Sequence, residues 1–131
     1  MLVTAYVDTN ILVRLLTNDI PEQVEAALRL IDEHGSVHIT SSTMLETAYV
    51  LITHYTRSRA NIVASLTDLL KSHQFIVDEA LVWRLALELF GSTTLALHDC
   101  YIAAHTFSEG AALLTFDEAL EKVMQRKHAE G

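Results

Sequence analysis

Four short apolar runs, each long enough for one strand, recur along this chain with helix-patterned segments between them. That alternation restricts the fold more than any other feature. The runs are residues 2–7, "SVHIT" (36–40), "QFIV" (74–77) and "AALLTF" (111–116). Residues 9–17 predict a helix with Ile11, Leu12, Leu15 and Leu16 on one face. Pro21 opens the next, with Glu22 and Glu25 near its positive end, and Gly35 closes it. Residues 41–55 and 60–73 predict two more helices before the third run. Segments 79–91 (closed by Gly91) and 95–107 precede the fourth run, and 117–128 follows it. Strands joined through helices pair in parallel, and a parallel sheet needs cover on both faces. The expected fold is α/β: a three-layer α/β/α sandwich around a four- or five-stranded, mainly parallel sheet. No repeat or low-complexity linker breaks the pattern, so residues 1–131 read as a single domain.

With half its residues apolar, few Gly and one Pro, the chain has the composition of a folded domain and not of a disordered one. Apolar stretches are interrupted before reaching about 18 residues, which excludes a membrane-spanning helix. No secretory signal is visible, and the lone Cys100 suits a reducing compartment, so a cytoplasmic location is expected. The formal net charge of −8 argues against a module that grips nucleic acid mainly with its own Lys and Arg. It leaves room for a site where metal cations lie between protein carboxylates and phosphate.

Carboxylates fall at telling places. Asp8 follows the first strand run, Glu46 lies in the first turn after the second, and Asp117 follows the fourth. In an open α/β sheet that address is the crevice beyond the carboxyl ends of the strands, where ligands bind. Asp99 interrupts the apolar helix 95–107, where an ionised carboxylate is costly unless paired, solvated or bound to metal. Each acid also has a structural use. Asp8 and Asp117 suit helix caps, Thr43-Met44-Leu45-Glu46 reads as a capping box, and Asp99 suits a solvent-facing position. Acids gathered in one crevice repel each other unless protonated or bridged by cations. An all-oxygen ligand set selects hard ions such as Mg²⁺ or Mn²⁺, which can hold the attacking water and leaving oxygen of a phosphodiester.

The segments "VDTNILVRLLTNDIPEQ" (7–23), "STMLETAYVL" (42–51), "LHDCYIAA" (97–104) and "LLTFDEAL" (113–120) resemble, in order, those of the PIN-domain ribonucleases. Within them the chain is most similar to the toxins of VapBC-type toxin–antitoxin pairs. The resemblance implies a Rossmann-like fold, Mg²⁺- or Mn²⁺-dependent cleavage of RNA, a homodimer, and neutralisation by a small cognate antitoxin. By the same resemblance Asp8, Glu46, Asp99 and Asp117 are the catalytic, metal-holding acids. Asn10 matches a residue that steadies Asp8 or a metal-bound water, and Thr115 one that supports Asp117. One departure is that "EKVMQRKHAEG" continues as helix where family members commonly add a strand, which leaves Asp117 the least secure of the four.

Further cations are candidate RNA contacts. Arg57 and Arg59 stand with His54 and Tyr55 in "THYTRSRAN" (53–61), and Arg14 lies about one helical turn past Asp8; solvated surface positions explain them as well. His98 and His105 lack zinc-helix spacing, Cys100 reads as a small core residue, and Trp83 as core or dimer surface. A phosphatase of the Asp-x-Asp type is excluded by Asn10 at the second acid position, and no Gly-rich phosphate loop is present. Two alternatives to an endoribonuclease stand: a non-catalytic binding module of the same fold, and a structure-specific DNA nuclease. The short chain leaves little room for the substrate-gripping segments of the latter.

Overall fold

Capping and buried periodicity account for most elements of the computed structural model, which describes residues 3–131. The chain divides into two units, Met1–Ala80 and Leu81–Gly131. In the first, helix α1 (Thr9–Thr17) starts at Asp8, whose side chain accepts from the Ile11 N–H. It stops at Asn18, whose φ of 52° places the backbone in the left-handed region that ends helices. Helix α2 (Pro21–His34) begins with its proline, which has no N–H to leave unpaired, and turns off at Gly35 with φ 80°. Thr40 caps α3 (Ser41–Thr53) and Ser58 caps α4 (Arg59–Lys71), each through its hydroxyl. Met44, Thr47, Ala48 and Leu51 form the buried stripe of α3, and Ile62, Leu66 and Leu69 that of α4. This spacing lets α1 lie on α2 and α3, and α3 on α4.

Strands β1 (Val37–Ile39) and β2 (Phe75–Val77) pair in parallel, Val37 opposite Phe75 and Ile39 opposite Val77. The α3–α4 pair supplies the crossover that parallel pairing demands. On the other side of β1, Tyr6 makes an isolated bridge to His38. There the Val7 N–H donates to the His38 carbonyl, and the His38 N–H to the Ala5 carbonyl. The expected four- or five-stranded sheet is thus corrected to two strands among the described residues, with the 2–7 run contributing one bridge. Leu2, at the start of that run, lies outside the described residues.

The second unit contains all but the first residue of α5 (Ala80–Ser92), together with α6 (Leu97–Ser108) and α7 (Glu118–Glu130), with α6 packed on α7. Helix α5 runs through Gly91, expected as its stop. Buried residues lie nearly all round it, including Trp83, Ala86, Leu89 and Phe90, and the Trp83 ring stacks on Tyr101 at 5.0 Å. Trp83 is core. Residues 111–116, expected as the fourth strand, form no strand here. Leu114 and Phe116 are almost wholly exposed. An apolar run becomes a strand only when a neighbour accepts its backbone bonds, and no local pattern supplies that neighbour. Among the described residues no helix is long and apolar enough to cross a membrane.

Candidate functional site

The first unit carries Asp8 and Glu46, and the second Asp99 and Asp117. Asp8 stands at the junction between the Tyr6 bridge and α1. One of its oxygens, Oδ1, accepts from the Ile11 N–H at 3.1 Å, and the exposed carboxylate keeps its other oxygen open. Asn10, two residues on, is exposed and lines a cavity of about 420 Å³ with Tyr6, Asp8, Leu30 and His34. Glu46 is an exposed residue of α3 beside buried Thr47. Its expected place in a capping box is corrected. The hydroxyl that caps α3 belongs to Thr40, which accepts from the Thr43 N–H at 3.1 Å. Glu46 therefore sits in the second turn, is not needed by the helix end, and is left as a solvent-facing acid.

In the second unit Asp99 lies in the first turn of α6, not mid-helix, because Leu95 and Ala96 precede the helix. A half-buried carboxylate there is eased by the positive end of the helix, which lessens the penalty expected from its apolar flanks. Asp117 caps α7, its Oδ1 accepting from the Leu120 N–H at 3.1 Å. The Thr115 hydroxyl accepts from the Asp117 N–H at 3.0 Å, so the residue two before this acid fixes the backbone from which it projects. With 111–116 outside any strand, that bond and the cap are what hold Asp117.

Two carboxylates escaped notice in the sequence. Asp78 and Glu79 follow β2 just as Asp8 follows the first apolar run. Glu79 accepts from the Ser41 hydroxyl at 2.5 Å and adopts φ 56°, and Asp78 lies 3.8 Å from His38. The signal was available in "FIVDEA" (75–80), acids directly after a strand-length run.

Of the cations expected to contact RNA, Arg14 is engaged within the fold. Arg14 pairs with Asp19 at 3.1 Å and donates to the Tyr55 hydroxyl at 2.9 Å, and that hydroxyl donates to Asp19 at 2.8 Å. The Tyr55 bond foremost, then Thr17 and the Arg14 guanidinium, hold the Asp19 carboxyl below its ordinary pKa against the opposing effect of desolvation. This triangle ties the end of α1 to the α3–α4 connection, which also carries the half-buried Arg57 and leads into the half-buried Arg59 at the start of α4.

Within either unit, no three His, Cys, Asp or Glu side chains among the described residues are grouped to hold a metal ion. The chemistry of the four matched acids nevertheless suits a hard divalent cation. All offer carboxylate oxygen, and the two that cap helices each commit a single oxygen to the cap. No curated protein and no solved structure gives a significant match to the chain. The PIN domain family matches residues 5–125, a span that runs through both units and includes Asp8, Glu46, Asp99 and Asp117. PIN domains are generally metal-dependent nucleases, and with nearly its whole length matched this chain belongs to the PIN domain family.

Proposed function

We propose that this protein is a Mg²⁺- or Mn²⁺-dependent endoribonuclease acting in the cytoplasm, and the toxin of a type II pair whose small antitoxin holds it inactive. The observation that carries the reading is the PIN match over 5–125, within which each of the ordered segments retains its acid. Asp8, Glu46, Asp99 and Asp117 supply oxygen ligands; Asn10 steadies Asp8, and Thr115 holds the backbone of Asp117. Bound divalent cations would supply charge stabilisation at the phosphate and lower the pKa of the attacking water. The protein's own part is to orient the carboxylates: the caps fix Asp8 and Asp117 against α1 and α7, and the first turn of α6 fixes Asp99.

Incubation of the purified protein with single-stranded RNA or DNA of one sequence tests this reading. RNA should be cut in Mg²⁺ or Mn²⁺, leaving 5′-phosphate ends, and excess chelator, Asp8→Asn or Asp99→Asn should each abolish the cut. Cleavage that survives both substitutions refutes the mechanism, and a preference for DNA refutes the substrate. A homodimer is expected by light scattering. Co-expression with an adjacent small reading frame should yield an inactive complex; failure there removes the toxin role and leaves the nuclease.

A further inference from the structure

A groove of about 770 Å³ in the second unit is lined on one side by Ser92, Thr93 and Thr94 and on the other by α7, through Lys122, Gln125 and Arg126. Leu95 and Val123 form part of its apolar floor, and no carboxylate lines it among the described residues. In a chain with 17 acidic and 9 basic residues, that is an unusual local balance. The charges are also available. Lys127, on the neighbouring face of α7, is paired with Glu88 and Glu130 at 3.3 Å each. The side chains of Lys122 and Arg126 are exposed and make no ion pair or hydrogen bond among the described residues, and the same holds for those of Thr94 and Gln125.

We propose that this groove holds the sugar–phosphate backbone of single-stranded nucleic acid, with Lys122 and Arg126 on phosphates one or two steps apart. The inference rests on the nuclease reading above and names part of its substrate path. Four residues separate the two cations, a rise of about 6 Å along the helix, between one and two phosphate steps of a stacked strand at about 3.4 Å each. Thr94 and Gln125 add uncommitted donors, and the exposed Ala119 and Ala129 offer apolar surface to sugar or base. The groove is bordered by the two segments that bear the unit's candidate acids. Its loop leads into α6 and Asp99, and its helix starts at Asp117. Lys122 and Arg126 lie roughly 7 and 13 Å along the axis from Asp117, so a strand following α7 passes from the acid to the cations. An acidic peptide could satisfy the same charges. Nucleic acid is favoured because the cations line up along a helix that begins at a candidate catalytic acid.

The test compares wild type with Lys122→Gln/Arg126→Gln and with a charge-matched control, Arg29→Gln/Lys71→Gln, whose residues are exposed on α2 and α4. Binding of a labelled single-stranded RNA of about ten nucleotides is read by fluorescence anisotropy with Ca²⁺, from about 50 to 300 mM salt. The groove variant should bind at least about tenfold more weakly near 100 mM salt, and its slope of log K against log salt should shrink by about 1.4, two phosphates at about 0.7 each. The control should keep the wild-type slope apart from a long-range offset. In Mg²⁺ or Mn²⁺ the groove variant should raise KM for the oligonucleotide while leaving hydrolysis of a small p-nitrophenyl phosphodiester unchanged. Groove-variant binding equal to wild type or to the control, no binding at all included, overturns the proposal. So does a poly-glutamate peptide that binds wild type as tightly as RNA and is lost with the groove variant. Binding with the expected slope but no cleavage in any metal removes the nuclease reading and leaves the groove; cleavage unaffected by the groove variant does the reverse.

Discussion

Asp8 has two uses that a pair of substitutions separates. Its Oδ1 caps α1 through the Ile11 N–H at 3.1 Å, and its negative charge faces the positive end of that helix. Asparagine keeps an acceptor oxygen in the same position, so Asp8→Asn retains the cap and loses only the charge–dipole attraction, about 0.3–1 kcal/mol at low salt. Alanine removes the acceptor as well, and losing a cap costs about 1 kcal/mol more. Because Asp8 is exposed and water can replace part of the bond, the lower end of each range applies. Without metal, Asp8→Ala should therefore be less stable than wild type by about 1–1.5 kcal/mol and Asp8→Asn by about 0.5 kcal/mol or less. For a chain of this size that corresponds to a fall in melting temperature of about 3–6 °C and about 2 °C.

Divalent cation changes the order. An ion that binds the native protein alone stabilises it by about 2.7 kcal/mol at a hundred times its dissociation constant. If Asp8 is a ligand, both variants lose most of that increment, and the conservative asparagine becomes as damaging as alanine in Mn²⁺ or Mg²⁺. The assay is thermal or urea unfolding of the three proteins in chelator and in a metal titration. A full metal-dependent gain in Asp8→Asn would refute the ligand role and reduce Asp8 to a cap.

Thr47 is completely buried on α3, and its hydroxyl makes no hydrogen bond among the described residues. Thr47→Val, which keeps the branched shape and removes the orphaned oxygen, should raise the urea midpoint by an amount equivalent to about 1 kcal/mol with no change in slope; a loss of stability would refute the assignment. Asp19 titrates below its ordinary value of 3.8, chiefly through the Tyr55 hydroxyl. A depressed carboxyl contributes stability that is complete above the unfolded-state pKa and fades as pH falls through the folded one. Tyr55→Phe should move the Asp19 carboxyl toward 3.8 in an NMR titration and narrow that acid-side contribution; an unmoved Asp19 would show that Arg14 and Thr17 suffice.

Much of this was legible in local sequence because local physics decides it. Asp8 and Asp117 precede periodic apolar positions and become caps; Pro21 and Gly35 bracket α2 as their backbone preferences require. The "SVHIT" and "QFIV" runs became β1 and β2, since the helices between them return the chain for parallel pairing. What local sequence misplaced were choices between equivalent partners or matters needing a distant one. Thr40 and Thr43 both offer a capping hydroxyl, and the backbone turned at Thr40, which moved Glu46 from the helix end to its open face. Gly91 has the composition of a helix stop, yet a glycine stops a helix only where the backbone reverses, and here α5 continues one residue further. The 111–116 run carries strand composition without strand pairing.

If these acids are the metal ligands proposed above, capping and metal binding do not compete for the same atoms. A cap engages one carboxylate oxygen with a backbone N–H and thereby restricts the side-chain torsions, which fixes the direction of the remaining oxygen. An uncapped carboxylate would have to be immobilised at the moment of binding, at a cost in rotamer entropy of up to about 1.5 kcal/mol for a Glu-sized side chain. Asp8 and Asp117 meet most of that requirement on folding, and Thr115 extends it by pinning the backbone of Asp117. Glu46, which no cap restrains, does not. The same local bond that makes an acid look merely structural is what prepares it to be a ligand, so finding a cap at Asp8 or Asp117 weighs nothing against catalysis. On this reasoning Glu46→Gln should leave the metal-free stability unchanged, while Thr115→Val, which cannot accept from the Asp117 N–H, should weaken metal binding without touching any carboxylate.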